Sequence, residues 1–239
     1  SLRINDAGAA DLSALSTFGP NDIQSISMSR TMVQDEQLVH LQGLTGLQRL
    51  AMEETAIGDV GMQYLANLTQ LTELNIDSTL VGDGGMAYVA GMTRMQDLEL
   101  NRSLVGDVGL SYIRDMKELT HLDMWMLDIT DEGMQYLAGL EKLYALGLED
   151  TLITDEGLKY LEGLPNLQRM NLENNNITDA GLASLVKIPR LAEISLADTY
   201  LTDAGMALLA TAPHLQAAIL PIQISPEGLK SLEGTPVGH

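Results

Sequence analysis

Glycine recurs every 24 residues through most of this chain, at Gly61, Gly85, Gly109, Gly133, Gly157, Gly181 and Gly205. An aspartate stands two places before each, from Asp59 to Asp203. Self-similarity at a fixed period of this length marks an array of stacked units, each too small to bury its own apolar face and each covered by its neighbours. Aligned on the glycines, the preceding stretches read "LTELNIDSTLV", "MQDLELNRSLV", "LTHLDMWMLDI", "LYALGLEDTLI" and "LQRMNLENNNI". The shared pattern is L-x-x-L-x-L-x-x-T-x-I followed by T/G-D-x-G-L-x-x-L-x-x-L.

The pattern predicts the local structure. The fourth and sixth places alternate as in a strand, so Leu122 and Met124 point into a core while His121, Asp123 and Trp125 point away from it. Met62, Leu65 and Leu68 then recur on one face of a helix that covers the sheet from behind. In the last unit "SPEGL" replaces "TDEGL". Proline favours the first helical position, which makes Ser225 the N-cap and, by register, Thr130, Thr154, Thr178 and Thr202 the caps of theirs. The aspartate that follows falls in the first helical turn, where the helix dipole favours a negative charge. That reading leaves the aspartates little reason to hold a metal.

These motifs resemble the leucine-rich repeat family, in its bacterial-type 24-residue form with TDxGL helix starts. The resemblance covers nearly the whole chain. It implies an α/β fold, a curved right-handed solenoid with a parallel sheet on the concave face and helices on the convex face, and a usual role in binding other molecules. The expected organisation is an N-terminal cap over residues 1–22, repeats over 23–214, and an irregular last repeat with a C-terminal cap over 215–239. "INDAGAADLSAL" supplies a partial match for the first cap, and Pro221 marks the closing irregularity.

Composition narrows the partners. Acidic residues outnumber basic ones 33 to 13, a net charge of −20, and such a field repels phosphate backbones and anionic lipid. No apolar run is long enough to span a bilayer. No basic-then-apolar leader is visible in "SLRINDAGAA", so an extracytoplasmic location follows only if one has been removed. The absence of cysteine excludes disulfides, thiolate metal sites and a cysteine nucleophile.

With the register fixed, the outward columns can be read. The fifth places run from Ser27 through Glu99, Asp123 and Gly147 to Ser195; the seventh include Glu53, Asp77, Asn101, Trp125, Glu149 and Glu173. The one tryptophan therefore stands midway along the exposed face among acids, where an aromatic anchor suits a binding site. Ala145 and Gly147 on the next strand leave room for a pocket beside the indole. The same repeat puts Leu127 where others have threonine, with Met126 beside it. The candidate ligand-binding set is Trp125, Met126, His121, Asp123, Glu99, Asn101, Asp97, Glu149, Tyr144, Asp77, Glu53 and Glu173. No catalytic residue, metal site or cofactor is expected.

Asp123 and Glu99 are cross-strand neighbours, but an open sheet is expected to desolvate them little. The tyrosines at 64, 88, 112, 136 and 160 form a row on the helical side, explained by packing between repeats. The expected function is a monomeric, non-enzymatic module that binds a basic protein or peptide. Two rivals are a carbohydrate-binding or hydrolysing protein with Trp125 as a stacking platform and Asp123 and Glu99 as acids, and a purely structural domain of a larger polypeptide.

Overall fold

The computed structural model describes residues 1–4 and 11–238. Ten strands form one parallel sheet in sequence order: β1 (Leu2–Arg3), β2 (Ser25–Ser27), β3 (Arg49–Ala51), β4 (Glu73–Asn75), β5 (Asp97–Glu99), β6 (His121–Asp123), β7 (Ala145–Gly147), β8 (Arg169–Asn171), β9 (Glu193–Ser195) and β10 (Ala217–Ile219). From β2 onward each strand holds the third to fifth places of a repeat. The Asp6-x-Gly8 match in the expected first cap lies outside the described residues. Beside it Leu12 and Leu15 are buried and β1 pairs with β2.

The core follows the alternation. Leu74, Leu98, Leu122, Leu146 and Met170 are paired neighbours in the sheet and form one buried column. Behind it the helical segments are short: a single α-turn such as Asp59–Met62 runs into a 3-10 turn, Gln63–Leu65. The apolar spacing explains this. Met62, Leu65 and Leu68 repeat every third residue, the period of a 3-10 helix, and all three are buried. Tyr64, Tyr112 and Tyr136 pack partly against this layer, while Tyr88 and Tyr160 are exposed.

The aspartate of the glycine motif has a different task from the one read in the sequence. A one-turn helix has little macrodipole to satisfy, and the carboxylate reaches forward into the next repeat. Asp131 accepts hydrogen bonds from the Thr154 N–H (2.7 Å), the Thr154 hydroxyl (2.6 Å) and the Gly157 N–H (2.9 Å). Asp107, Asp155 and Asp179 likewise bind the amide and hydroxyl of Thr130, Thr178 and Thr202, and Asp203 those of Ser225. The cap reading holds at four of its five positions, where the Thr130, Thr154, Thr202 and Ser225 side chains accept from the amide two residues on; Thr178 accepts from Ala180 in the same way, but the α-turn there begins only at Leu182, with Gly181 as its N-cap. The glycine is the other half of the joint. A Cβ at Gly61 would sit 2.6 Å from an Asp35 carboxylate oxygen, and one at Gly109 equally close to Asp83.

Each repeat leaves its strand through a tight turn in which the eighth place takes positive φ, from 52° to 61°, without being glycine: Arg30, Glu54, Ser78, Arg102, Met126, Asp150, Asn174 and Asp198. This left-handed residue lets the ninth place turn back inward. Thr31, Thr55, Thr79, Thr151 and Thr199 are buried there and donate their hydroxyls to the carbonyl three residues earlier. Leu127 fills the same place with apolar bulk and is buried.

Candidate functional site

The open face of the sheet carries a polar network built from alternate strand positions. Asn75 Nδ2 donates to Glu99 (2.6 Å) and Glu53 (3.2 Å), and Asn75 Oδ1 accepts from the Asp77 N–H (2.9 Å). Asp77 in turn accepts from the Asn101 amide (2.9 Å) and side chain (3.0 Å), and Asn101 Oδ1 accepts from the Trp125 N–H (2.9 Å). The chain of contacts thus runs from β3 to the tryptophan. Asn101 is buried within it and presents nothing to a ligand. A second network links Asn171 to Glu149 (3.0 Å), and Ser195 to Glu173.

Trp125 is half-buried at the seventh place, as the alternation requires. A basic side chain lies against it. Arg102, at the eighth place one repeat back, lays its guanidinium over the indole with Cζ 4.4 Å from the ring centroid, a cation–π contact. The same guanidinium donates to Met126 Sδ at 3.4 Å. Sequence columns place residues on faces, but this pairing depends on the left-handed turn, which swings Arg102 toward the next strand. Tyr144 and His121 stack obliquely at 5.8 Å, and His121 Nδ1 lies 3.0 Å from the Thr120 hydroxyl.

The acids between these groups are crowded. Burial, then repulsion from Asp77 and Asp97, pushes Glu99 up to about 7. Burial also raises Asp77, against the hydrogen bonds from Asn101 that lower it. Asp123 is raised by partial desolvation and by Asp97. The sheet therefore desolvates these carboxylates more than an open surface suggests, because neighbouring side chains flank each on both strands. Among the described residues the Asp123 carboxylate makes no hydrogen bond or ion pair. The arrangement holds negative potential that the protein itself leaves partly unmatched, and so suits a cation.

A hollow of about 350 Å³ does lie over Ala145 and Gly147, but it extends away from the tryptophan toward β10 and is not lined by Trp125. Ala145 and Gly147 line one end of it, Ala217 and exposed Ile219 the other, and Arg169, Asn171, Glu193 and Ser195 lie between them. A smaller hollow, about 280 Å³, lies over β2 to β5 beside Asp97 and Glu99. Among the described residues no group of three or more His, Asp or Glu is placed to hold a metal ion. No helix among them is long and apolar enough to cross a membrane.

One surface escaped the sequence reading. The tenth place of the repeat is exposed and apolar in Met32, Leu80, Leu104, Leu152 and Tyr200, a row along the edge where the strands turn toward the helices. The signal was present, since a Leu recurs at that place in three repeats.

A leucine-rich repeat family model matches residues 141–201. Internalin C2 from Listeria monocytogenes superposes with a TM-score of 0.67 at 26% identity, covering 82% of this chain and 80% of that one. The plant peptide hormone receptor RGFR1, solved in complex with RGF2, shares the fold at 14% identity, with a TM-score of 0.63 over 91% of this chain and 34% of the receptor. No curated protein matches the sequence.

Proposed function

We propose that this chain, a leucine-rich repeat protein, is a monomeric, non-enzymatic module that binds a protein or peptide of basic character across the open face of its sheet. The observation that carries the reading is the run of carboxylates Asp77, Glu99 and Asp123 across adjacent strands, the first two half-buried and the third exposed, all raised above their ordinary range. Such groups are under-compensated in the free protein, and a cationic partner relieves them while gaining a charge-assisted hydrogen bond. His121, Asp97, Glu53, Glu149 and Glu173 frame the same surface, with Trp125 and Met126 at its centre. Against the carbohydrate alternative, Arg102 already covers one face of the indole that a sugar would stack on.

The test is titration with an oligolysine peptide and a neutral peptide of equal length. Binding of the cationic peptide alone, weakening as salt screens exposed charges over about 8 Å at physiological ionic strength, is the expected result. Trp125→Ala should lose about 2 kcal/mol of that affinity if the indole is an anchor. Binding of an oligosaccharide with no response to oligolysine would overturn the assignment.

A further inference from the structure

The hollow over β7 to β10 differs chemically from the rest of the open face. Of the polar side chains that line it, Arg169 and Glu193 form an ion pair (2.8 Å), Asn171 donates to Glu149, and Ser195 donates to Glu173. These walls are already satisfied. Asp123 is the one polar lining group without a hydrogen-bond or ion-pair partner among the described residues, and its carboxylate leans over Gly147, where any Cβ would collide with it. The two ends carry small side chains, Ala145 and Gly147 on β7 and Ala217 on β10, and Ile219, 59% exposed, occupies a fifth place that is polar or small in every earlier repeat. An apolar depression with a lone anion at one end and an aliphatic wall at the other is complementary to a short amphipathic segment.

The spacing of that segment can be derived. Adjacent strands are about 4.8 Å apart, so the distance from above β7, where the Asp123 carboxylate lies, to the space between β9 and β10 is roughly 12–14 Å. An extended peptide laid across the strands advances about 6.8 Å for every two residues on one face. Residues four apart therefore span the hollow.

We propose that this hollow docks an extended peptide segment, setting a lysine or arginine head against Asp123 and an aliphatic side chain four residues away over Ala217 and against Ile219. The proposal rests on the basic-partner reading above and goes beyond it in naming the subsite and the sequence it selects. Trp125 lies outside this contact.

The experiment uses the full chain and capped ten-residue Ser/Gly peptides, each carrying one Lys and one Leu separated by one to six residues, with chemical shifts of the β6–β10 amides as readout. The four-residue separation should bind tightest. Asp123→Asn should weaken it about tenfold, the scale of a lost hydrogen bond to a charged group. Ile219→Ser, a change at an exposed side chain, should abolish the preference for separation, and Leu104→Ser, at an exposed tenth place away from the hollow, should leave both affinity and preference within about twofold. Equal binding at all separations, with Ile219→Ser silent, overturns the hollow as a subsite while the general basic-partner reading stands. Failure of oligolysine and every lysine peptide to bind overturns both. Loss of binding in Trp125→Ala but not in Ile219→Ser moves the site to the indole and overturns the hollow alone.

Discussion

Glu99 couples the open face to pH. Its folded pKa, about 7, lies above its unfolded value of 4.5, so the folded chain binds the extra proton between those values. The stability associated with that proton is fully present below pH 4.5 and is lost as pH rises through about 7. Glu99→Gln should flatten the fall of melting temperature between pH 4.5 and 7 relative to the wild type; an unchanged slope would show that Glu99 is not the group responsible. Asp203 runs the other way, its carboxylate held below the ordinary range by the Ser225 hydroxyl and amide, so its contribution is lost only as pH falls through that lowered value. The position of Asp123 and Trp125 on the outward face was legible from strand alternation. The burial and like-charge repulsion that lift Glu99 were not, because they depend on how closely the side chains of successive repeats crowd around it.

The helical turn and its joint form the next scale. In the first three joints the cap position is glycine, so Asp83 binds only the amides of Gly106 and Gly109, whereas Asp107 and later aspartates also receive a Thr or Ser hydroxyl. A Cβ at Gly106 meets nothing nearer than 3.7 Å, and its backbone is extended. Gly106→Thr should therefore stabilise the protein by about 1 kcal/mol, through a cap and a more restricted unfolded chain, read as a higher urea midpoint at unchanged slope. Gly133→Ala should cost about 1–3 kcal/mol as overpacking against Asp107. Equal midpoints for Gly133→Ala and wild type would dissolve the joint as described. The sequence displayed both members of this joint at perfect period. It concealed their partnership, since the aspartate's nearest helix in sequence is its own and its partners lie 23 to 26 residues on.

Across the whole molecule the two stretches of array differ in these joints, and the earlier one is held by fewer bonds. Hydrogen exchange should accordingly be faster at the amides of Gly58, Gly82 and Gly106 than at those of Thr154, Thr178 and Thr202, since local opening follows local bonding. Uniform protection along the array would contradict the ranking. The net charge of −20 adds a uniform self-repulsion, and shrinking the screening length from about 30 Å at 0.01 M to about 3 Å at 1 M salt should raise the melting temperature measured by circular dichroism. The solenoid, its single sheet and its core columns were all readable from the period. The small residues of the hollow and the apolar tenth places were in the sequence, but the hollow's direction, toward β10 and away from the indole, was not, because it depends on how neighbouring side chains lean on one another. Because every joint is shared between two repeats at a nearly constant offset, cutting the chain at equivalent residues of any two repeats and rejoining it regenerates the same joint. A gene that gains or loses one 24-residue unit between Gly133 and Gly205 thus inherits a longer or shorter binding face with no new interface to invent, while a one-residue slip within a unit has no such heir.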